Sequence, residues 1–128
     1  MRVSDSEPLS QARMYLRDLY TNAGIMVCQA RQQEMPLRLK DGNHYFEAVE
    51  FCSAPDREIP ENRLALCPTC AAKWLHARDE GPEELATAIQ AAHSPELEVT
   101  LAGCPTTLRF VEIHFGDLKI VLHAALAD

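Results

Sequence analysis

Apolar residues recur at three- and four-residue spacings from Glu7 to Ala23 (Leu9, Ala12, Leu16, Leu19, Tyr20, Ala23), which predicts a first helix stopped by Gly24. Ile25-Met26-Val27-Cys28 then reads as a short strand or knuckle arm, followed by a polar loop that turns at Asp41-Gly42-Asn43. His44 to Phe51 alternates well enough for a strand, and Ser53 to Asn62, with its two prolines, must be loop. An apolar run, Leu64-Ala65-Leu66, leads into Cys67, and a helix is expected from Cys70 to about Ala77. Pro82 starts the next helix, on which Leu85, Ile89 and Ala92 share a face. Leu97, Val99 and Leu101 alternate as a strand, Gly103-Cys104-Pro105 turns the chain, and Thr106 to Ile113 forms the returning strand. A closing helix from about Gly116 to Ala127 should bury Leu118, Val121, Leu122 and Ala125. The pattern is that of one α+β domain over residues 1–128, and it contains no repeat or heptad.

Composition narrows the setting. Hydrophobic residues make up 47% and charged residues 24% of the 128, enough to build a packed core and too balanced for a disordered chain. No apolar stretch is long enough to span a membrane, and the polar start, Met1 to Glu7, has no signal-peptide core, so a cytoplasmic protein is expected. A net charge of −7 disfavours nucleic acid as a partner unless Arg13, Arg17, Arg31, Arg38 and Lys40 gather on one face. Glu34, Asp41, Glu47 and Glu50 interleave with or follow them, which fits a mixed solvated surface.

The chemistry lies in the cysteines. Cys67-Pro68-Thr69-Cys70 sits at the turn into a helix, which is how one half of a zinc site is built. The same motif would also suit disulfide exchange, because a helix N-terminus lowers a thiol pKa. Thioredoxin-like chains, however, place it after a first strand in a βαβ unit, and none precedes it here. The upstream half of a zinc site would be a second Cys-x-x-Cys. The best position for it reads Cys28-Gln29-Ala30-Arg31, with arginine in place of a ligand. Arg31 either sets a cation where a metal ligand once sat or points into water from an opened knuckle.

The order of thiol, loop, strand, Asn-bearing loop and Cys-Pro-x-Cys into a helix resembles the HNH endonuclease group of treble-clef folds. Asn62-Arg63-Leu64-Ala65-Leu66-Cys67-Pro68-Thr69-Cys70-Ala71 follows the closing segment of that group closely. The resemblance implies a treble-clef-like region over 24–78, flanked by the 7–23 helix and by an α-β-β-α tail over 82–127. Its departures fall on the catalytic positions. Val49 and Glu50 stand where a His-His or Asp-His pair belongs, and Ala71 stands where a His should follow the last cysteine. Neither valine nor alanine can activate water or hold a divalent ion. The segment Tyr45-Phe46-Glu47-Ala48-Val49-Glu50-Phe51, then Leu64-Ala65-Leu66-Cys67-Pro68, is similar to a degenerate subgroup of this fold. Those modules sit at the C-termini of large bacterial proteins of poorly defined function.

The resemblance implies one structural zinc held by Cys28, Cys67 and Cys70, with Cys52 as the favoured fourth ligand and His44 and His76 as alternatives. It implies no catalytic residues. The expected role is a binding or scaffolding module for a protein partner or within a larger parent chain. The enzyme alternative is a metal-dependent nuclease with a rearranged site built from His44, Glu47 and Glu50. Trp74, Tyr45, Phe46 and Phe51 read as core, His114 and His123 as core-adjacent, and Cys104 as a lone exposed thiol.

Overall fold

The computed structural model describes residues 7–52 and 59–127. Helix α1 (Glu7–Tyr20) buries Ala12, Leu16 and Tyr20 along one stripe. It ends before Ala23, because Thr21–Asn22 (β1) pairs back on Ile25–Met26 (β2). Ala23 and Gly24 make the turn with φ of 54° and 80°. Two successive left-handed residues give the turn whose twist matches a hairpin.

The returning chain forms strand β3 (Glu47–Glu50) and, after a 3-10 turn over Pro60–Asn62, strand β4 (Arg63–Leu66). They pair antiparallel with Ala48 opposite Ala65 and Val49 opposite Leu64. The strand expected from His44 is shorter, because β4 offers only 4 residues to pair with. Tyr45 N–H instead bonds the Leu37 carbonyl at 3.0 Å, and His44 bridges Arg38. Helix α2 (Pro68–His76) starts at Cys67, with Pro68 in its first turn as the motif requires, and buries Cys70, Ala71 and Trp74. The Trp74 ring stacks on Phe51 at 5.9 Å, and its Nε1–H donates to the Glu50 carbonyl at 2.9 Å. This fixes α2 against β3.

Helix α3 (Pro82–Ala91) is capped by Glu84, whose carboxylate accepts the Gly81 N–H at 3.0 Å. Strands β5 (Glu96–Leu101) and β6 (Cys104–Arg109) form the expected hairpin, but its turn is Ala102-Gly103, again left-handed at both residues. Cys104 therefore belongs to the strand, opposite Leu101. Pro105 lies opposite Thr100, whose carbonyl accepts the Asp79 N–H at 3.1 Å and whose N–H goes to the Glu80 carboxylate at 2.9 Å, so the missing proline donor costs no ladder bond. β6 stops at Arg109, where its partner strand begins, and the chain turns into α4 (Glu112–Ala127) before the expected start at Gly116. α4 buries His114, Leu118 and Leu122, while His123 is exposed. Leu9, Ala125 and the Ser53–Glu58 part of the expected loop lie outside the described residues and side chains.

One continuous apolar cluster, from Leu16 and Tyr20 through Phe46, Leu64 and Trp74 to Leu118 and Leu122, joins the four helices with β2 to β6. The architecture is α+β, with three separate two-stranded sheets and four α-helices among the described residues. No helix among them is long and apolar enough to cross a membrane.

Candidate metal centre

Two segments far apart in sequence bring three thiols together. Cys28 ends the arm after β2, Cys67 caps α2, and Cys70 lies in that helix's first turn. Their sulfur atoms all lie within 4.8 Å of one another, and all three residues are buried. A tetrahedral zinc with Zn–S bonds of about 2.3 Å would need sulfurs roughly 3.8 Å apart, which small rotamer shifts can reach. Among the described residues this is the one such group of His, Cys, Asp or Glu side chains.

The local fold prepares Cys28 to carry charge. The Cys70 thiol donates to it, and the backbone N–H groups of Cys67 (3.4 Å), Arg31 and Ala30 point at it. Together they outweigh burial and hold its pKa well below the ordinary thiol value. Cys70 moves the other way, because its proton is held by Cys28 and burial disfavours a second charge. A soft cation would replace that proton as the group the sulfurs share. The knuckle itself is intact. Gln32 N–H bonds the Cys28 carbonyl at 2.8 Å, and Cys28 N–H bonds the Gln33 carbonyl at 3.0 Å. Arg31 is exposed and reaches Gln33 at 3.3 Å, so it points into water from a closed turn.

The other expected ligands are elsewhere. Cys52 is buried, but its thiol donates to the Pro82 carbonyl at 3.4 Å, and the group of three sulfurs does not include it. The cause is Asn62, whose side chain takes the Cys52 N–H at 3.2 Å and gives to the Cys52 carbonyl at 2.6 Å. That pinning ties Cys52 beside the start of α3. His44 bonds Glu34 at 2.8 Å, and His76 is exposed on the last turn of α2. Glu47 and Glu50 fall on opposite faces of β3 by the two-residue period, and Tyr45 O–H is bonded to Glu47. His44, Glu47 and Glu50 therefore form no joint site.

Of the basic residues proposed for a nucleic-acid face, Arg38 pairs with Glu34 at 3.3 Å, and Arg17 lies over the Phe46 ring at 5.3 Å. The cations nearest the cysteines are different ones. A cleft of about 620 Å³ borders Cys70 and is lined by Arg31, Lys73 and Arg109. Lys73 was legible at one helical turn from Cys70. Arg109 was not, because only the packing of β6 on the knuckle brings it near.

That packing depends on Gln29, whose role has no local sequence signature. Its backbone N–H and side-chain Oε1 pair with the Ala65 carbonyl and N–H at 3.0 and 2.8 Å. Its backbone carbonyl and Nε2 pair with the Arg109 N–H and carbonyl at 3.0 and 3.1 Å. One residue thus bridges β4 to β6 and sets Cys28 between them. Gln29→Ala leaves the Ala65 N–H and Arg109 carbonyl without their side-chain partners and is expected to cost about 2 kcal/mol of stability. Urea unfolding followed by Trp74 fluorescence measures it; a loss under about 0.5 kcal/mol would show that water replaces both bonds.

The chain matches no family model, no curated protein and no solved structure at significance.

Proposed function

We propose that the chain is a zinc-stabilised interaction module built on a degenerate HNH-like plan, without nuclease chemistry. The observation that carries it is the convergence of Cys28, Cys67 and Cys70, a knuckle thiol and a helix-start pair, as a buried soft donor set. Zinc is the commonest intracellular ion for such donors. The positions that would activate water in an active HNH site are Val49, Glu50 and Ala71. Val49 and Ala71 are buried apolar residues, and Glu50 is exposed opposite Arg63. Burial of the Cys67 and Cys70 sulfurs counts against thiol–disulfide exchange with a protein substrate. Free thiols of this kind suit a reducing compartment such as the cytoplasm.

Support for an interaction role comes from α4. Ile113 and Ile120, two turns apart on this helix, are 64% and 69% exposed. A large apolar side chain repeated along one helix face fits contact with a protein partner or with further parts of a longer chain.

Elemental analysis of protein purified without a histidine tag or added zinc tests the metal reading. About one zinc per chain, lost in Cys67→Ser, is expected. Protein that purifies without metal and takes up none when zinc is restored would overturn it.

A further inference from the structure

The cleft beside the cysteines says what completes the centre. This inference rests on the metal reading above. Zinc is four-coordinate, and when the protein supplies only three ligands the last comes from solvent or substrate. Among the described residues no fourth His, Cys, Asp or Glu joins Cys28, Cys67 and Cys70. Cys70 lines the cleft together with Ala30 and Arg31, the part of the knuckle where a second cysteine ligand would stand in a Cys-x-x-Cys.

Charge selects the ligand. Three thiolates around a divalent ion sum to −1, so a further anion is bound only where cations surround it. The chain as a whole carries −7, yet this cleft is lined by Arg31, Lys73 and Arg109 and by no carboxylate. Arg109 is paired with Glu96 at 2.7 Å at an exposed position. Arg31 and Lys73 form no ion pair among the described residues. Arg31 offers a flat fork suited to a carboxylate, and Lys73 a point charge one helical turn from Cys70. The centre itself is soft and favours sulfur over oxygen. A cleft of about 620 Å³ is in the range that holds a small molecule.

We infer that the metal held by Cys28, Cys67 and Cys70 presents an exchangeable fourth position to this cleft, which takes a small thiol bearing carboxylates. The thiol binds as its thiolate, displacing water from the metal and releasing one proton to solvent. Its carboxylates meet Arg31 and Lys73, and no electron is transferred.

The test uses the full chain with cobalt(II) in place of zinc, since thiolate-to-cobalt absorption counts the sulfur ligands. Mercaptosuccinate, 2-mercaptoethanol and succinate are titrated in turn. Mercaptosuccinate should raise the charge-transfer absorbance by about a third, one thiolate joining three. It should bind about tenfold more tightly than 2-mercaptoethanol, the gain expected of one good charge-assisted contact. Succinate alone should leave the charge-transfer band unchanged. Arg31→Ala and Lys73→Ala, both at exposed side chains, should keep the cobalt and lose the tenfold preference. A four-thiolate spectrum from the outset, or bands that no thiol moves, overturns the inference while leaving the metal reading intact. Equal affinity for both thiols in wild type and in Arg31→Ala also overturns it, since the cleft would then contribute nothing. Failure to take up cobalt, or uptake that survives Cys67→Ser, sinks the metal reading and the inference together.

Discussion

Removing the zinc proposed for Cys28, Cys67 and Cys70 is expected to lower the stability of the chain by about 4 kcal/mol without unfolding it. An ion that binds only the folded state adds RT ln(1 + [L]/Kd), about 4 kcal/mol when it is present at a thousand times its dissociation constant. The ion would join Cys28 to Cys67 across 39 residues, and so hold the knuckle against α2. What remains without it is substantial. Leu16, Phe46, Leu64, Trp74 and Leu118 are fully buried in a shared cluster that includes residues of α1, β4, α2 and α4. A zinc finger has no such core and unfolds on chelation, whereas a core of this kind survives the loss of one cross-link. A drop in melting temperature of roughly 15 °C follows for a domain of this size. Thermal unfolding with and without a strong chelator, and again after zinc is restored, measures it. Cys67→Ser should reproduce the chelated melt in the presence of zinc. A chelator that removes the ion and leaves the melt where it was would show that the metal does not couple to folding.

The three cysteines that come together each carry a signal in the sequence. Cys67 and Cys70 could be read from the Cys-Pro-x-Cys at a helix start, and Cys28 from its place in the order of elements. Cys52 lies outside the group of three, and its position just past β3 does not say which way the chain turns there. The backbone pairing of Asn62 with Cys52 decides that, and it is a contact between residues 10 apart with no local signature.

The helices were legible for a similar reason. Their apolar stripes are repeated, so one misplaced residue does not hide them. Their ends were not: α1 stops early and α4 starts early because neighbouring segments pair or run out of partners. Both hairpins turn on Ala-Gly, where an L-residue must enter the left-handed region at a cost of about 1 kcal/mol. Propensity argues against alanine there, and the packing on either side of the turn prevails. Gln29 was the least visible of all. Four of its hydrogen bonds reach segments that lie 36 and 80 residues away in sequence.

Acidification should destabilise the protein by roughly 3 kcal/mol through His114 alone. This residue is buried at the start of α4, and burial keeps its ring neutral near pH 7, which sets the directions of its hydrogen bonds. Val111 N–H donates to the Tyr20 hydroxyl at 3.2 Å, and that hydroxyl donates to His114 Nδ1 at 2.6 Å. The proton on Nε2 then goes to the Glu61 carbonyl at 3.1 Å. Tyr15 and Phe110 stand edge-on to the ring, and Asp117, bonded by the Tyr15 hydroxyl, is the nearby carboxylate. Burial pushes the His114 pKa down to about 4, against a smaller opposing pull from the backbone at Glu61 and Arg63 and from Asp117. A second ring proton would also take the acceptor away from the Tyr20 hydroxyl. In the unfolded chain the same imidazole titrates near 6.5. Above that value neither state is protonated and nothing is lost. Between about 6.5 and 4 the unfolded state binds more protons, so stability falls as the pH falls, at about 1.4 kcal/mol for each unit of separation between the two pKa values. Thiolate protonation and metal release also act in this range, so the difference between wild type and His114→Gln isolates the histidine. Urea midpoints from pH 7 to 4 should show wild type losing its advantage over the variant as the pH drops. A constant difference across that window would mean that His114 takes up its proton in the folded protein as readily as in the unfolded one.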